Sequence, residues 1–174
     1  SRSEDALNIV RSNFEIDNIK VLKSSSDAID IDFSDGTLSN ILIENSGNDG
    51  LDLSGSNVKI DEIIINNSQD KALSVGEGSV ISVDKLFIKR ANVGVANKDG
   101  SNAIINNLSI IDSDLGIVGF QKKSEYSPSK TIINESDQSL SEVPYLLGEG
   151  SSLSINNNQM KINSRDDLIF KLLY

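Results

Sequence analysis

A short pattern recurs every 22 residues through most of this 174-residue chain. The segment "EDALNI" at 4–9 is followed in the same register by "SDAIDI" at 26–31 and "NDGLDL" at 48–53. The later copies are "DKALSV", "NVGVAN" and "DLGIVG". Such self-similarity is the signature of a repeat architecture and restricts the fold more than any composition value does. One apolar column of the repeat contains Leu7, Ile29, Leu51, Leu73, Val95 and Ile117.

Each repeat alternates apolar and polar residues, as in "IDID", "LDLS" and "ILIE". This period indicates short half-buried strands, and no apolar stripe of helical period is long enough for a helix within the repeats. One such unit cannot hide its apolar side alone, whereas stacked copies enclose a continuous core. The sequence therefore predicts an all-β, right-handed parallel β-helix of about six 22-residue coils, with a partial last coil. We expect the solenoid over residues 1–162 and a short C-terminal cap over 163–174.

Sequence motifs at the corners and ends of the solenoid predict local structure as well. Asn45 and Asn67 occupy equivalent turn positions and are predicted to form a short amide ladder. The register breaks after "FQKKSEYSPSKTIINES" and resumes at 145–156, where a Gly-Ser turn seen in earlier coils returns. Ser164 three residues before Asp167 predicts a capping box for a short terminal helix, with a closing strand as the alternative. Because the repeat begins almost at residue 4, we expect further coils upstream in a longer parent chain.

Composition excludes several classes of function. The chain has no cysteine and no histidine, which removes disulfides, thiol chemistry, imidazole bases and the usual zinc sites. Sixteen basic and 26 acidic residues give a formal charge of −10. This charge disfavours nucleic acid and anionic membranes as partners, and it favours cations, neutral sugars or a basic protein. No apolar run is long enough to predict membrane insertion.

The coils resemble the right-handed parallel β-helices of the pectin-lyase-like superfamily. The phrases "SDAIDIDFSDG", "NDGLDLSGS" and "DKALSVGEGS" further resemble the C-terminal β-helix region of secreted bacterial proteins related to spore-coat protein H kinase-like and lamin-tail proteins. This resemblance covers most of residues 3–126. It implies an extracellular or cell-surface location in a bacterium, and it directs attention to polysaccharides without selecting a reaction.

Outward-facing acidic residues form the first candidate site. If Ile29 and Ile31 point inward, Asp30 and Asp32 point outward, and the repeat places Asp52 beside Asp30. Three interpretations are open: a solvated acidic strip, a calcium site made by these three carboxylates, and a pair of carboxylates that cleaves a sugar chain. No cofactor is required by the sequence, and Ca²⁺ is the one ion that it suggests.

Basic residues follow on the same face in later coils and give a second candidate site. A polysaccharide lyase needs a base, so Lys98 or Lys122 together with Asp30 and Asp52 are the catalytic candidates. Alternatively, the charges only balance each other, since Asp49 lies one coil from Lys71 and Lys98 is next to Asp99. The loop at 121–130 departs from the repeat and is a candidate binding segment. The predicted binding residues are Glu77, Asp99, Lys122, Lys123 and Tyr126, the last as a platform for a sugar ring.

These observations predict a secreted or cell-surface β-helix module that binds a polysaccharide or surface glycan and serves as a non-catalytic scaffold or adhesion element. The alternative is a polysaccharide lyase or glycoside hydrolase with a carboxylate and lysine cleft on the face of the first strand. Whether the chain is an enzyme is left open by the sequence.

Overall fold

A computed structural model describes residues 4–137 and 142–174 and shows a parallel β-solenoid of about 7 turns with one short C-terminal helix. The predicted fold class is confirmed. The predicted solenoid range of 1–162 includes positions 1–3 and 138–141, which lie outside the described residues. The elements are β1 (Leu7–Val10), β2 (Asn13–Asp17), β3 (Lys20–Val21), β4 (Ile29–Asp32), β5 (Asp35–Ser39), β6 (Ile41–Ser46), β7 (Leu51–Ser54), β8 (Asn57–Gly76), β9 (Val80–Lys98), β10 (Asn102–Phe120), β11 (Lys130–Asp137), β12 (Val143–Leu147), β13 (Ser152–Ile155), β14 (Asn158–Gln159) and α1 (Asp166–Leu173).

Three faces run along the solenoid. The first-strand face consists of β1, β4, β7 and the ends of β8, β9 and β10, and it continues into β12. The second and third faces begin with β2 and β3 and continue in β5 and β6. From Asn57 onward a single long strand passes through all three faces of a coil, because its corners no longer interrupt the parallel ladder.

The predicted apolar column forms one inward stack. Leu7 pairs with Ile29, Ile29 with Leu51, and the register continues to Ile117. Leu51 is fully buried, as are its neighbours Ile29 and Leu73. Burial on this scale contributes about 2 kcal/mol per large side chain, so the repeat itself supplies the core.

Serine hydroxyls connect the coils at the corner after the first strand. The hydroxyl of Ser34 accepts a hydrogen bond from the backbone N–H of Ser12 at 2.9 Å, and Ser56 accepts one from Ser34 at 3.0 Å. Ser79 and Ser101 continue the series, with all of these acceptors buried. At a second corner, Asn67 donates to the side-chain oxygen of Asn45 at 2.7 Å, which confirms the predicted amide ladder.

The solenoid resumes earlier than the sequence predicted. Instead of restarting at 145, the chain returns to the stack in β11, where Lys130 lies in register with Asn102. The departure from the repeat is therefore confined to the loop between Phe120 and Lys130. The "TIIN" of 131–134 repeats the "AIIN" of 103–106 and was a readable signal for this register.

The C-terminal cap is a helix and not a strand. It begins at Asp166 after Arg165, which makes no side-chain capping hydrogen bond in the part of the chain that the structure describes. The predicted capping box of Ser164 and Asp167 is therefore wrong, because the helix starts one residue later than that motif requires. Ile169 is fully buried against the outer side of the first-strand face, where it meets Val93, Val118 and Phe120. No helix within 4–137 and 142–174 has the length and apolar character to cross a membrane.

Candidate functional site

Acidic side chains project from neighbouring strands of the first-strand face. Asn8, Asp30 and Asp52 are direct register partners on β1, β4 and β7. Asp32 lies on the same strand as Asp30, two residues further along. The amide of Asn8 donates to Asp30 Oδ2 at 2.8 Å. We call Asn8, Asp30, Asp32 and Asp52 the acidic row.

Asp30 has the most perturbed carboxyl of the acidic row. Partial burial raises its pKa to about 7, and the nearby charges of Asp32 and Asp52 add to the rise. Burial and Asp52 also raise the pKa of Asp32. Both causes disfavour the charged form, so near neutral pH Asp30 exchanges a proton with solvent instead of staying fully ionised.

Lysine 98 connects the acidic row to the next coils. Lys98 Nζ lies 4.0 Å from Asp52 Oδ1 and donates to the hydroxyl of Ser74 at 2.5 Å. Asp52 Oδ1 also accepts the backbone N–H of Leu53 at 3.1 Å. Lys98 is therefore paired with Asp52 and not with the adjacent Asp99, because its ammonium turns toward the earlier coils. The structure therefore brings together three catalytic candidates, namely Asp30, Asp52 and Lys98.

A second series of carboxylates lies at the corner before the first strand. Asp5 Oδ1 accepts the backbone N–H of Asp27 at 3.2 Å, and Asp27 Oδ1 accepts that of Asp49 at 2.8 Å. Asp49 Oδ1 in turn accepts the N–H of Lys71 at 3.0 Å. The sequence prediction missed this ladder, although the "D" preceding each apolar pair recurs at 22-residue spacing. These carboxylates hold the coils together and are satisfied by backbone donors.

Lys71 ends this ladder with a buried ammonium. Its Nζ lies 3.5 Å from Asp49 Oδ1 and also pairs with Asp70. Burial raises the pKa of Asp49 to about 6 in spite of the opposing charge of Lys71. For Lys71, burial lowers the pKa but the two carboxylates outweigh it, so the net shift is upward. The predicted balance between Asp49 and Lys71 is confirmed.

The end of helix α1 reaches this junction. Lys122 Nζ lies 3.8 Å from the centre of the Tyr174 ring, and Lys71 Nζ lies 5.0 Å from it. Burial and the charge of Lys98 lower the pKa of Lys122. Of the four catalytic candidates, Lys122 is thus placed against an aromatic ring of the helix, and Lys98 is the lysine in contact with the acidic row.

Most of the predicted binding residues around the 121–130 loop make contacts that attach the loop to the solenoid. Asp99 is fully buried, and its Oδ1 accepts the backbone N–H groups of Lys122 and Lys123 at 2.7 Å each. Lys123 forms an ion pair with Glu77. Tyr126 is only partly exposed. These contacts fix the loop to the solenoid.

The carboxylates predicted to bind calcium do not form a coordination site in this conformation. Within the described ranges, no three carboxylate side chains are grouped closely enough to hold a metal ion as they stand. Asp52 is turned toward Lys98, and Asp30 is engaged by Asn8. Calcium binding by Asp30, Asp32 and Asp52 stays a prediction that solution measurements can test.

The acidic row, Lys98 and the aromatic end of α1 together make up the candidate site. Comparison of the chain with known protein families, with curated proteins and with solved structures gives no match.

Proposed function

We propose that this chain is a glycan-binding β-solenoid module of a secreted or cell-surface protein, and that the acidic row is its binding surface. The observation that carries the proposal is the division of the first-strand face. Its later coils are apolar, with Ala96 and Val118 buried near α1, whereas its first three coils present Asn8, Asp30 and Asp52 without such a cover.

The chemistry of the acidic row suits sugar hydroxyls. Carboxylates accept hydrogen bonds, an amide both donates and accepts, and here these groups repeat at the strand spacing of about 4.8 Å. An extended polymer with regularly spaced hydroxyls can therefore bond to several coils at once. The nearby ammonium groups of Lys71 and Lys98 already contact Asp49 and Asp52. The charge that remains favours neutral or amine-bearing sugars over uronates.

Location and architecture are consistent with this role. The resemblance of the coils to pectin-lyase-like β-helices of bacterial secreted proteins supports an extracellular or surface setting. In such a setting, upstream coils of a longer chain would extend the same face and lengthen the binding surface. A rigid solenoid also suits a scaffold that presents this surface at a distance from the cell.

Glycan-array screening followed by calorimetric titration tests the proposal. We expect the wild-type chain to bind one class of neutral or amine-bearing oligosaccharide, and the double variant D30N/D52N to bind it at least 10-fold more weakly. The matched control is D35N, because Asp35 is exposed on β5 between Asn13 and Asn57. No binding to any glycan, or equal binding by D30N/D52N, would refute the proposal.

A second candidate function, cleavage of the bound glycan, rests on one specific observation. Asp30 has a pKa of about 7 beside Asp52, which is itself 4.0 Å from Lys98. A carboxyl that carries a proton near neutral pH, close to a second carboxyl and a lysine, is the arrangement that acid-base cleavage uses. Incubation of bound glycans with the protein, followed by assays for new reducing ends and for unsaturated products, distinguishes hydrolase, lyase and pure binding.

A further inference from the structure

Lys71 and Asp49 are a buried amine and a buried carboxyl that meet across the boundary between two coils. Lys71 is 2% exposed and Asp49 is 4% exposed, and Lys71 Nζ lies 3.5 Å from Asp49 Oδ1. Side chains of these types are seldom buried so completely. The corner itself does not require an amine, because the next coil has Val93 at the position of Lys71.

The groups around this pair are those that amide formation needs. The backbone N–H of Lys71 donates to Asp49 Oδ1 at 3.0 Å, so it polarises the carboxyl. Asp70 forms an ion pair with Lys71 Nζ and can accept and return a proton there. The centre of the Tyr174 ring lies 5.0 Å from the same Nζ and covers it from one side. A nucleophile, an electrophile, a proton carrier and an oxyanion donor are thus in one buried cluster.

We propose that Lys71 and Asp49 condense to an intramolecular amide bond that joins two neighbouring coils. Asp70 takes one proton from the ammonium and passes it to the Asp49 carboxylate. The neutral amine then forms an N–C bond with the carboxyl carbon, while the backbone N–H of Lys71 stabilises the charge on Oδ1. Asp70 carries a second proton from the nitrogen to the other carboxyl oxygen, which leaves as water. The reaction is an ammonium plus a carboxylate giving an amide plus water, with no oxidant, reductant or further reactant.

Burial favours this reaction at one pair of the solenoid. It raises the pKa of Asp49 to about 6, which increases the protonated fraction that the amine can attack. The carboxylates beside Lys71 raise the pKa of its amine, so the amine is mostly charged and the bond forms slowly, with Asp70 as the base. Fixed contact between the two groups replaces a bimolecular encounter. The ion pair described above is the state before the bond forms.

An exposed ion pair provides an internal comparison. Lys85 Nζ lies 3.2 Å from Glu62 Oε2, also across one coil boundary, but these side chains are 60% and 41% exposed. Water surrounds both groups and keeps them solvated, so proximity alone does not lead to an amide there. The difference between the two pairs isolates burial as the cause.

A covalent link between coils has a clear physical use in this chain. The chain contains no cysteine and therefore cannot form disulfides. An amide bond between Asp49 and Lys71 closes a loop of one repeat and restricts the unfolded chain as a disulfide does. It also fixes the coil that carries Asp52 to the coil that carries Ser74.

Mass spectrometry of the purified full chain tests the proposal. We expect the intact mass to fall below the mass calculated from the sequence by one water, about 18 Da. Trypsin should then release segment 24–59 joined to segment 60–85, with the bond after Lys71 uncut and the bond after Lys85 cut. K71R and D49A should each keep the full calculated mass. D70N should form the link about 10-fold more slowly or less during incubation at 37 °C.

Each outcome decides the question. A full mass in folded wild-type protein after prolonged incubation overturns the proposal. So does a loss of one water with normal cleavage after Lys71, because a succinimide at Asp49-Gly50 loses the same mass without a cross-link. A link between Lys85 and Glu62 of equal yield refutes burial as the cause, and a wild-type rate in D70N refutes Asp70 as the proton carrier. If K71R or D49A fails to fold, sequencing of the joined wild-type peptides still gives the answer.

Discussion

The raised pKa of Asp30 makes a prediction about stability as well as function. For a carboxyl whose pKa is higher in the folded state than in the unfolded state, the folded state binds more protons between the two values. Stability then falls as pH rises through that window and is constant above it. For Asp30 the window extends from the ordinary value of 3.8 to about 7. Replacement by Asn removes this penalty, and the amide side chain still provides an acceptor for Asn8.

The size of the effect follows from the two pKa values and from exposure. The difference between 3.8 and about 7 corresponds to about 4 kcal/mol for a fully desolvated group. Asp30 is only partly buried, so solvent screening reduces this figure. We therefore expect D30N to be more stable than wild type by about 1–2 kcal/mol at pH 8 and by much less at pH 4.5.

Urea unfolding followed by circular dichroism at pH 4.5, 6 and 8 measures this prediction. The stability difference between D30N and wild type should grow with pH, and the control D35N should show no such growth. A D30N variant that is destabilised at pH 8, or whose advantage does not depend on pH, would show that Asp30 is stabilised as a carboxylate and that the reasoning from burial and like charges is wrong.

Four further predictions concern the core, the corners, the buried ion pair and calcium. Leu51→Ala should lower stability by about 2–5 kcal/mol in chemical denaturation, because Leu51 is fully buried between two other apolar coils. Ser56→Ala should cost about 1–3 kcal/mol in the same assay, because it leaves the buried N–H of one coil without its acceptor. Lys71→Met should lower the melting temperature at pH 8 more than at pH 5, because the carboxylates beside it lose their counter-charge when they are ionised. If the acidic row binds calcium, wild type should melt at a higher temperature with calcium than with chelator, and D30N/D52N should not; identical melting curves in all four conditions would remove the calcium hypothesis.

The 22-residue repeat allowed the fold to be predicted from the sequence, because the contacts of a solenoid are made between residues one coil apart. The 22-residue spacing alone placed Leu51 beside Ile29 and Asp52 beside Asp30, and both pairings are found. The same reasoning applied to Asn45 and Asn67 gave the amide ladder. Where the spacing changed, between Phe120 and Lys130, the prediction placed the return to the stack too late.

The parts of the site that the sequence did not reveal depend on contacts outside the repeat. Nothing in the local pattern indicates that Ile169 packs on the sheet near Val118 and Phe120, about 50 residues earlier in the chain. That contact carries Tyr174 to Lys122 and creates the aromatic end of the site. The sequence also could not predict that Lys98 contacts Asp52 instead of Asp99, since its long flexible side chain can reach either carboxylate.

The two series of carboxylates differ in the contacts that offset their burial. Asp27 and Asp49 each accept a backbone N–H of the next coil, and the ladder ends at a buried lysine, so their presence is explained by the fold. Burial also raises the pKa values of Asp27 and Asp49, but their hydrogen bonds to backbone N–H groups oppose that rise. At Asp30 and Asp32 burial and the charge of Asp52 both raise the pKa, so as carboxylates they oppose folding. The polar surface of the first-strand face could be kept with Ser or Asn at these positions, as it is at Asn8 and Ser74. Carboxyls at Asp30 and Asp32 therefore cost stability that an amide would not, and this cost is the reason to test the acidic row for a ligand.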